Sequence, residues 1–546
     1  MKKKLFFLTF IIGLLVNLTA QQTINGTIFP DSWKQLSQKD LSTVTLTPLT
    51  TDQISNYIIE SGKDGKPYQI GHVLPVAITP SNSGQWDLLA DGRKVWRIQM
   101  TSEGAQGAIL YFDHFRLSKG ATLFVYSADH QSYIGPFNQQ DNLNNAEYAI
   151  GPIAGDQIIV EYVVPKNVES SEDFLISGFS YIFRDLGIYE DTKVGACEVN
   201  VNCPEGDNWK SQSNGVARIT VKQSGETYLC SGSMINNTSN DGTPYFLTAY
   251  HCGDGCTASD FNQWVFTFHY QYPGCSNSGA ATGAKSFTGC TKKAEGNVDG
   301  GSDFFLLLLN TTSTAILDAG IEYNGWDRNT NGSPNGVSIH HPDGARKKIS
   351  TYTQTLISGS FNWGATNAHW RVRWAATISG HGVTEGGSSG SPIFNNNGLI
   401  VGTLSGGSSD CDNVNAYDLY GKFSYHWLSN GSANSARLKP WLDPTNTDAM
   451  SCSNYSTSAI SKKPTLQNNS FTVYPVPAKN NMMITFDHKI ADKIEIYNIL
   501  GVKIKELTHL SIANDLDISD FNSGTYFVKA LLDNTVSVKK FVVVKE

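Results

Sequence analysis

The sequence predicts an all-β protein built from about three folded parts. The chain of 546 residues is only 16% charged yet holds 50 Gly, 23 Tyr and 11 Trp, a composition of strands and loops rather than of coiled coil, disorder or helical bundles. Its apolar residues recur in short alternating runs bounded by Gly, Asn and Asp, and its length exceeds what a single core usually serves. The formal net charge of -8 leaves no broad basic footprint for nucleic acid. After residue 20 no apolar run approaches the ~18 residues that span a bilayer, and the longest late one, Phe304 to Leu309, is strand-sized.

Residues 1–20 read as an export signal. Met1-Lys2-Lys3-Lys4 supplies positive charge, Leu5 to Val16 is too short an apolar stretch to cross a membrane, and Leu18-Thr19-Ala20 offers a small residue for cleavage before Gln21. Residues 21–193 contain no cysteine and are expected to be β-rich, with strand-like runs at Lys94–Met100, Ala121–Tyr126 and Gln157–Tyr162. Residues 194–452 alternate similarly between Asn/Gly-rich loops. Export places the cysteines where disulfides persist. Cys197, Cys203, Cys230, Cys252, Cys256, Cys275, Cys290 and Cys411 fall in this stretch, and Cys452 stands apart at its end. Sequence alone chooses no pairing. No pair has Cys-x-x-Cys spacing, so zinc is not indicated, and no metal or cofactor is expected. Residues 453–470, rich in Ser, Thr, Asn and Lys, read as a linker. Residues 471–546 alternate again at Ile494–Tyr497, Thr525–Val528 and Lys540–Val544, the pattern of a small β-sandwich.

The two outer regions carry no dense cluster of reactive side chains, so chemistry is sought in the middle. Three segments stand out there: Leu247-Thr248-Ala249-Tyr250-His251-Cys252, Gly301-Ser302-Asp303-Phe304-Phe305, and Gly387-Ser388-Ser389-Gly390-Ser391-Pro392. A serine hydroxyl becomes a nucleophile when a base takes its proton, and an imidazole held in one tautomer by a buried carboxylate is suited to that task. The chain order His251, Asp303, Ser389 is that of chymotrypsin-like double β-barrels. Asp303 opens a strongly apolar strand, which would bury its carboxylate. Glycines at 387 and 390 let the backbone bend so that the N–H groups of Gly387 and Ser389 converge as an oxyanion hole, worth about 2.7–4 kcal/mol per donor.

These segments resemble the trypsin/chymotrypsin superfamily, and most closely the bacterial lysyl endopeptidases. Cys203-Pro204-Glu205-Gly206-Asp207, Ile339-His340-His341-Pro342, Gly382-Val383-Thr384-Glu385 and Trp441-Leu442-Asp443-Pro444 carry the resemblance over residues 194–450. It implies a secreted serine endopeptidase with bridges Cys197–Cys411, Cys203–Cys275 and Cys230–Cys252, leaving Cys256 and Cys290 for a fourth. Each bridge is worth about 2–4 kcal/mol by loop closure. The acid of a trypsin pocket precedes the nucleophile by six residues, where this chain has Val383. Asp418 instead resembles the pocket acid of lysyl endopeptidases, Trp363 the tryptophan lining their site, and Ser405-Gly406-Gly407 the strand beside the substrate. Ser405 stands where the family's type member has a histidine, and its hydroxyl is expected to support Asp303. Cleavage after lysine is expected, with arginine or mixed specificity as the alternative and an inactive adhesin as the remaining one. Ser388 replaces the aspartate of the digestive zymogen switch. Residues 21–193 are therefore expected to act as a propeptide, inhibitor or chaperone, removed after Lys193 to expose Val194. Finally, Val473-Tyr474-Pro475-Val476-Pro477, Ile496-Tyr497-Asn498-Ile499-Leu500-Gly501 and Ser523-Gly524-Thr525-Tyr526 resemble the type A sorting domain of the type IX secretion machinery. That resemblance implies export through the periplasm to the cell surface or medium.

Overall fold

The computed structural model describes residues 22–23, 28–34, 36, 41–61, 66–142, 147–168, 173–185, 195–279, 281, 283–456 and 471–545, the last stretch without 487–489, 500–501, 509 and 533–534. The expected signal peptide, the Lys193–Val194 boundary and most of the linker lie outside the described residues. The chain divides into two compact units, residues 1–456 and 457–546. Strands dominate both, and no helix among the described residues is long and apolar enough to cross a membrane.

In the first unit the N-terminal region is a sandwich. One layer holds Lys94–Thr101, Gln157–Val164, Thr122–Ser127 and Tyr133–Phe137; the other holds Tyr68–Ile78, Phe174–Ile182, Gly107–Phe115 and Tyr148–Ala154. All three strands read from the sequence are present, because their alternating Val, Ile, Trp and Tyr side chains meet between the layers. The second layer does not end at its own edge. Tyr68–Ile78 pairs antiparallel with Glu226–Met234 of the following region, and Ile70, Tyr111 and Ile182 pack with Leu229 and Val265 across the junction. This continuous sheet makes the two regions one unit.

The following region contains two curled antiparallel sheets. The first runs Lys285–Thr288, Val265–Phe268, Val216–Gln223, Glu226–Met234, Tyr245–Thr248, Phe304–Leu309 and Cys290–Gly296. Its outermost strands are separated by a single residue in the chain, so the sheet returns on itself. The second runs Lys348–Tyr352, Gly336–His340, Pro392–Asn395, Ile400–Gly407, Asp418–Lys422, His369–Val372 and Ile357–Gly359. Apolar cores fill each sheet, and a third cluster around Phe304, Trp326 and Trp427 joins them.

Three disulfides form: Cys197–Cys411, Cys203–Cys275 and Cys230–Cys252. The fourth bridge left open for Cys256 and Cys290 is not made, and both thiols are free, as is Cys452. The two thiols point to different carbonyls, Cys256 to Lys222 and Cys290 to Phe261, each contact being 3.6 Å. Burial pushes both thiols up, which keeps them protonated.

The second unit is a small sandwich of its own. Phe471–Tyr474, Asn481–Phe486 and Ala513–Asp517 form one sheet; Lys503–Leu507, Lys493–Asn498, Gly524–Leu532 and Thr535–Val543 form the other. Ile484 and Leu516 meet Ile494, Val528 and Phe541 between them.

Candidate active site

Strand pairing brings His251 and Asp303 together. Tyr245–Thr248 runs antiparallel to Phe304–Leu309 with Thr248 opposite Phe305, so the turn after the first strand meets the residue before the second. His251 lies in that turn, a short helical one at Tyr250–Cys252, and the Cys230–Cys252 disulfide ties it to the neighbouring strand. Asp303 is wholly buried and holds φ +60, a left-handed conformation that Asp tolerates better than most side chains. Its two oxygens accept separately: Oδ1 from the His251 backbone N–H at 3.0 Å, Oδ2 from Nδ1 at 2.8 Å. A carboxylate can only accept, so the proton sits on Nδ1 and the Nε2 lone pair is free to face the cleft. Burial pushes the Asp303 carboxyl up, but the His251 charge, its two hydrogen bonds and that of Ser405 outweigh burial and hold it below the ordinary value. For His251 burial pushes down, and the charge and hydrogen bond of Asp303 reverse it, leaving the imidazole more basic than usual.

Ser405 also meets His369 Nε2 at 3.1 Å, so a line of buried polar groups runs from His369 through Ser405 to the Asp303–His251 pair.

Ser389 lies in the turn before Pro392–Asn395 and lines one cleft together with His251 and Asp418. Among the described residues no hydrogen bond joins its hydroxyl to Nε2, a contact that often tightens only with substrate bound. The turn is fixed from several sides. Ser231 N–H donates to the Ser389 carbonyl at 2.8 Å, and Ser231 Oγ donates to the Gly387 carbonyl at 2.9 Å. Gly390 has φ +78, and a Cβ there would stand 2.1 Å from Thr248 Oγ1, so only glycine fits. The amides of Ser388, Gly390 and Ser391 all donate to backbone carbonyls. Among the described residues those of Gly387 and Ser389 donate to no protein atom, which leaves these two N–H groups for a ligand oxygen.

His340, quoted above only within a motif, buttresses the same turn. Ser350 donates to the Val383 carbonyl, so it accepts from His340 Nε2–H at 2.9 Å; Nδ1 is then bare and accepts from the Ser388 hydroxyl at 2.8 Å. Burial first, then the Lys348 charge, pushes this imidazole down to about 3, so it is a neutral strut.

The floor of the cleft is Asp418, wholly buried at the start of Asp418–Lys422 and opposite Gly407. Its Oδ2 accepts from Trp374 Nε1 at 2.6 Å, Thr384 Oγ1 at 2.7 Å and Ser409 Oγ at 2.5 Å; Oδ1 accepts only the Ser409 amide at 3.2 Å. Burial raises its pKa, and the hydrogen bonds offset this only in part. A Cβ on Gly407 would fall 1.9 Å from Oδ1, so this glycine makes room for the acid, while Ser405 and Gly406 line the wall. Trp363 does not line the cleft and is 44% exposed. The turn at 361–364, closed by Gly364 N–H on the Phe361 carbonyl, aims Phe361 inward against Gly406 and leaves Trp363 outside, 5.8 Å from the Phe361 ring. Phe361, Trp374 and Ser409 escaped the sequence reading; Thr384 lay within a quoted motif without a role. Cys230, His251 and Cys252 lie close together, but both sulfurs are joined, so they do not form a metal ligand set.

Comparison with known proteins adds three family matches. The model described as lysyl endopeptidase, C-terminal domain matches residues 192–421, that of the lysyl endopeptidase N-terminal domain matches 45–177, and that of the secretion system C-terminal sorting domain matches 472–544. A lysyl endopeptidase of Pseudomonas aeruginosa is 30% identical over 375 residues, 64% of this chain and 77% of that protein. Among solved structures, the thermostable serine protease AL20 from an extremophilic microorganism is 18% identical over 39% of this chain and 92% of its own, with TM-score 0.28. A Glu endopeptidase is 18% identical over 42% and 94%, with TM-score 0.26.

Proposed function

The chain belongs to the lysyl endopeptidase family and is a serine endopeptidase, and from that premise we propose that it hydrolyses polypeptides after lysine through Ser389, His251, Asp303 and an acyl-enzyme. The carrying observation is a buried carboxylate, Asp418, at the floor of the cleft that also holds Ser389 and His251. An ammonium entering there would neutralise a carboxylate that makes no salt bridge among the described residues. Oδ2 already accepts from three side chains, and only Oδ1 has capacity left. One oxygen with spare accepting capacity suits the point charge of lysine better than the two-pronged guanidinium of arginine.

In the proposed mechanism Ser389 Oγ attacks the carbonyl carbon of the lysine while His251 Nε2 takes its proton. The amides of Gly387 and Ser389 hold the resulting oxyanion. The C–N bond then breaks as the imidazolium returns that proton to the leaving nitrogen, and water repeats the sequence on the ester. Asp303 keeps the tautomer and offsets the charge on the imidazolium. The C-terminal sorting domain marks an exported protein, secreted or held at the cell surface. We further propose that residues 21–193 are a propeptide removed by the enzyme after Lys193.

A serine-reactive fluorophosphonate and a peptide library test these assignments. Wild type should take the label and cut the library after lysine, whereas Ser389→Ala should do neither and should remain full-length when expressed without other proteases. Dominant cuts after other residues would overturn the role of Asp418. The pH dependence follows from the two perturbed groups. His251 must be neutral to act, and its pKa lies above 6.5, so kcat/KM should rise with pH along a limb centred above that value. Asp418 must be ionised to hold the ammonium, and its pKa lies above 3.8, so KM should also rise on acidification. Fluorophosphonate labelling needs no ammonium and should follow the His251 limb alone.

A further inference from the structure

The turn that presents the oxyanion amides is held largely by residues 340–343, at and beyond the end of the strand Gly336–His340. In a trans peptide the C=O and N–H point opposite ways, so fixing a carbonyl aims the amide of the next residue. Asp343 N–H donates to the Gly386 carbonyl, which aims the Gly387 amide. His341 N–H donates to Ser231 Oγ at 3.0 Å, and that hydroxyl donates to the Gly387 carbonyl. Ser391 N–H donates to the Ser388 carbonyl at 3.0 Å, which aims the Ser389 amide. The Ser388 side chain lies between these two peptides, and His340 holds it.

The holding segment is itself braced. His341 Nδ1–H donates to the Ala345 carbonyl at 2.9 Å, and Arg218 Nη1 donates to the Gly344 carbonyl at 2.9 Å. Gly387 takes φ +86, and a Cβ there would stand 3.0 Å from the His341 carbonyl oxygen, so the two backbones touch. Ser388, His340 and Ser350 are all wholly buried. The Ser388 hydroxyl accepts from Glu385 N–H at 3.2 Å, and the Ser388 amide donates to the Glu385 carbonyl at 3.0 Å. Its one proton goes to His340 Nδ1. A carboxylate at 388 would need a cation, whereas a hydroxyl needs only an acceptor. These contacts are all made in the full-length chain.

We infer that His340 and Ser388 are positioning residues that set the oxyanion hole, so that its two amides stand in place without a newly cut N-terminus. This rests on the proposed role of the Gly387 and Ser389 amides. The relay starts at Ser350, which spends its own proton on the Val383 carbonyl and so fixes the imidazole tautomer. That tautomer presents Nδ1 bare, and bare Nδ1 fixes the Ser388 hydroxyl. Losing this contact frees Ser388 to rotate. Its rotation carries the peptide that bears the Ser389 amide and strains the Gly387 carbonyl off Ser231. The clasp is uncharged, so neither chain cleavage nor a counter-ion enters its formation.

Kinetics of the mature enzyme test this with three probes. These are a lysine ester, hexylamine as a ligand for Asp418 alone, and a peptide ending in lysinal, whose adduct with Ser389 puts an oxyanion on the two amides. His340→Leu should lower kcat about 10²-fold, the loss expected when one oxyanion donor is misplaced, and should weaken the aldehyde similarly. Hexylamine should bind as it does to wild type, which general damage to the fold would not allow. His340→Asn keeps a side-chain acceptor close to the backbone and should recover most of the loss. Ser388→Ala removes a single oxygen, carries the test should His340→Leu not fold, and should match it. The double variant should be no worse than either, since the two residues form one contact. Two glycines inserted after Lys193 lengthen the mature N-terminus and should leave kcat unchanged. Wild-type kcat in His340→Leu or Ser388→Ala, or a joint fall of kcat and hexylamine binding, overturns the inference. A tenfold fall in the glycine insertion would assign the hole to the chain terminus instead. Ester hydrolysis surviving in Ser389→Ala would remove the catalytic reading itself.

Discussion

Asp303→Asn is expected to lower kcat about 10⁴-fold while leaving KM for lysine peptides nearly unchanged, the behaviour of a triad acid that fixes a tautomer. Both Asp303 oxygens accept from His251, one from the backbone and one from Nδ1. An amide can supply only one acceptor. If its oxygen keeps the backbone N–H, its NH₂ faces Nδ1 and drives the ring proton to Nε2, which then has no lone pair for Ser389. The imidazolium formed in the reaction also loses its counter-charge. Unfolding does not account for the effect, because the φ of +60 at this position is as accessible to Asn as to Asp. Removing the carboxylate leaves burial to dominate His251, so the acid limb of any residual activity should move to lower pH. Steady-state kinetics with a lysine ester, together with fluorophosphonate labelling, should show both changes. A variant within tenfold of wild-type kcat would remove Asp303 from the mechanism.

What could be read from the sequence is what local chemistry announces. His251, Asp303 and Ser389 sit near strand ends, and a buried acid ahead of Phe304–Leu309 requires a donor. The strands at 94–101, 122–127 and 157–164 were visible because short runs rich in Val, Ile, Tyr and Trp bounded by turn residues mark strands. What escaped depends on direction rather than identity. A tight turn decides that Phe361 and not Trp363 enters the cleft, and nothing in a Phe-Asn-Trp run reveals which ring points inward. Cys256 and Cys290 have compatible spacing but thiols aimed at different carbonyls. His340 acquires its role only from Ser388 and Ser350, one 48 residues away and the other across a hairpin. The pairing of Tyr68–Ile78 with Glu226–Met234 joins segments far apart in the chain, and no local pattern encodes such a register.

Asp418→Asn separates binding from stability in opposite directions. With lysine substrates the variant should lose about 10³-fold in kcat/KM, because removing one partner of a buried ion pair leaves the ammonium uncompensated, a cost of about 3–5 kcal/mol. Fluorophosphonate labelling should persist, since the triad and the amides of Gly387 and Ser389 are untouched. Stability should move the other way. Burial raises the Asp418 pKa above 3.8, so the folded protein binds this proton more tightly than the unfolded chain does. Stability from this group is therefore present in acid and lost as pH rises through the raised pKa. Asparagine keeps a neutral group in place, with a carbonyl oxygen to accept from the side chains of Trp374, Thr384 and Ser409 at the loss of the 3.2 Å bond from the Ser409 amide, and has no ionisation to oppose. In calorimetry of the mature enzyme the two proteins should melt together at low pH, and the variant should melt higher once Asp418 has ionised. A wild-type enzyme more stable than Asp418→Asn at neutral pH would mean that the carboxylate is already paired in the free cleft. Its selection of lysine would then need another origin than an unmet charge.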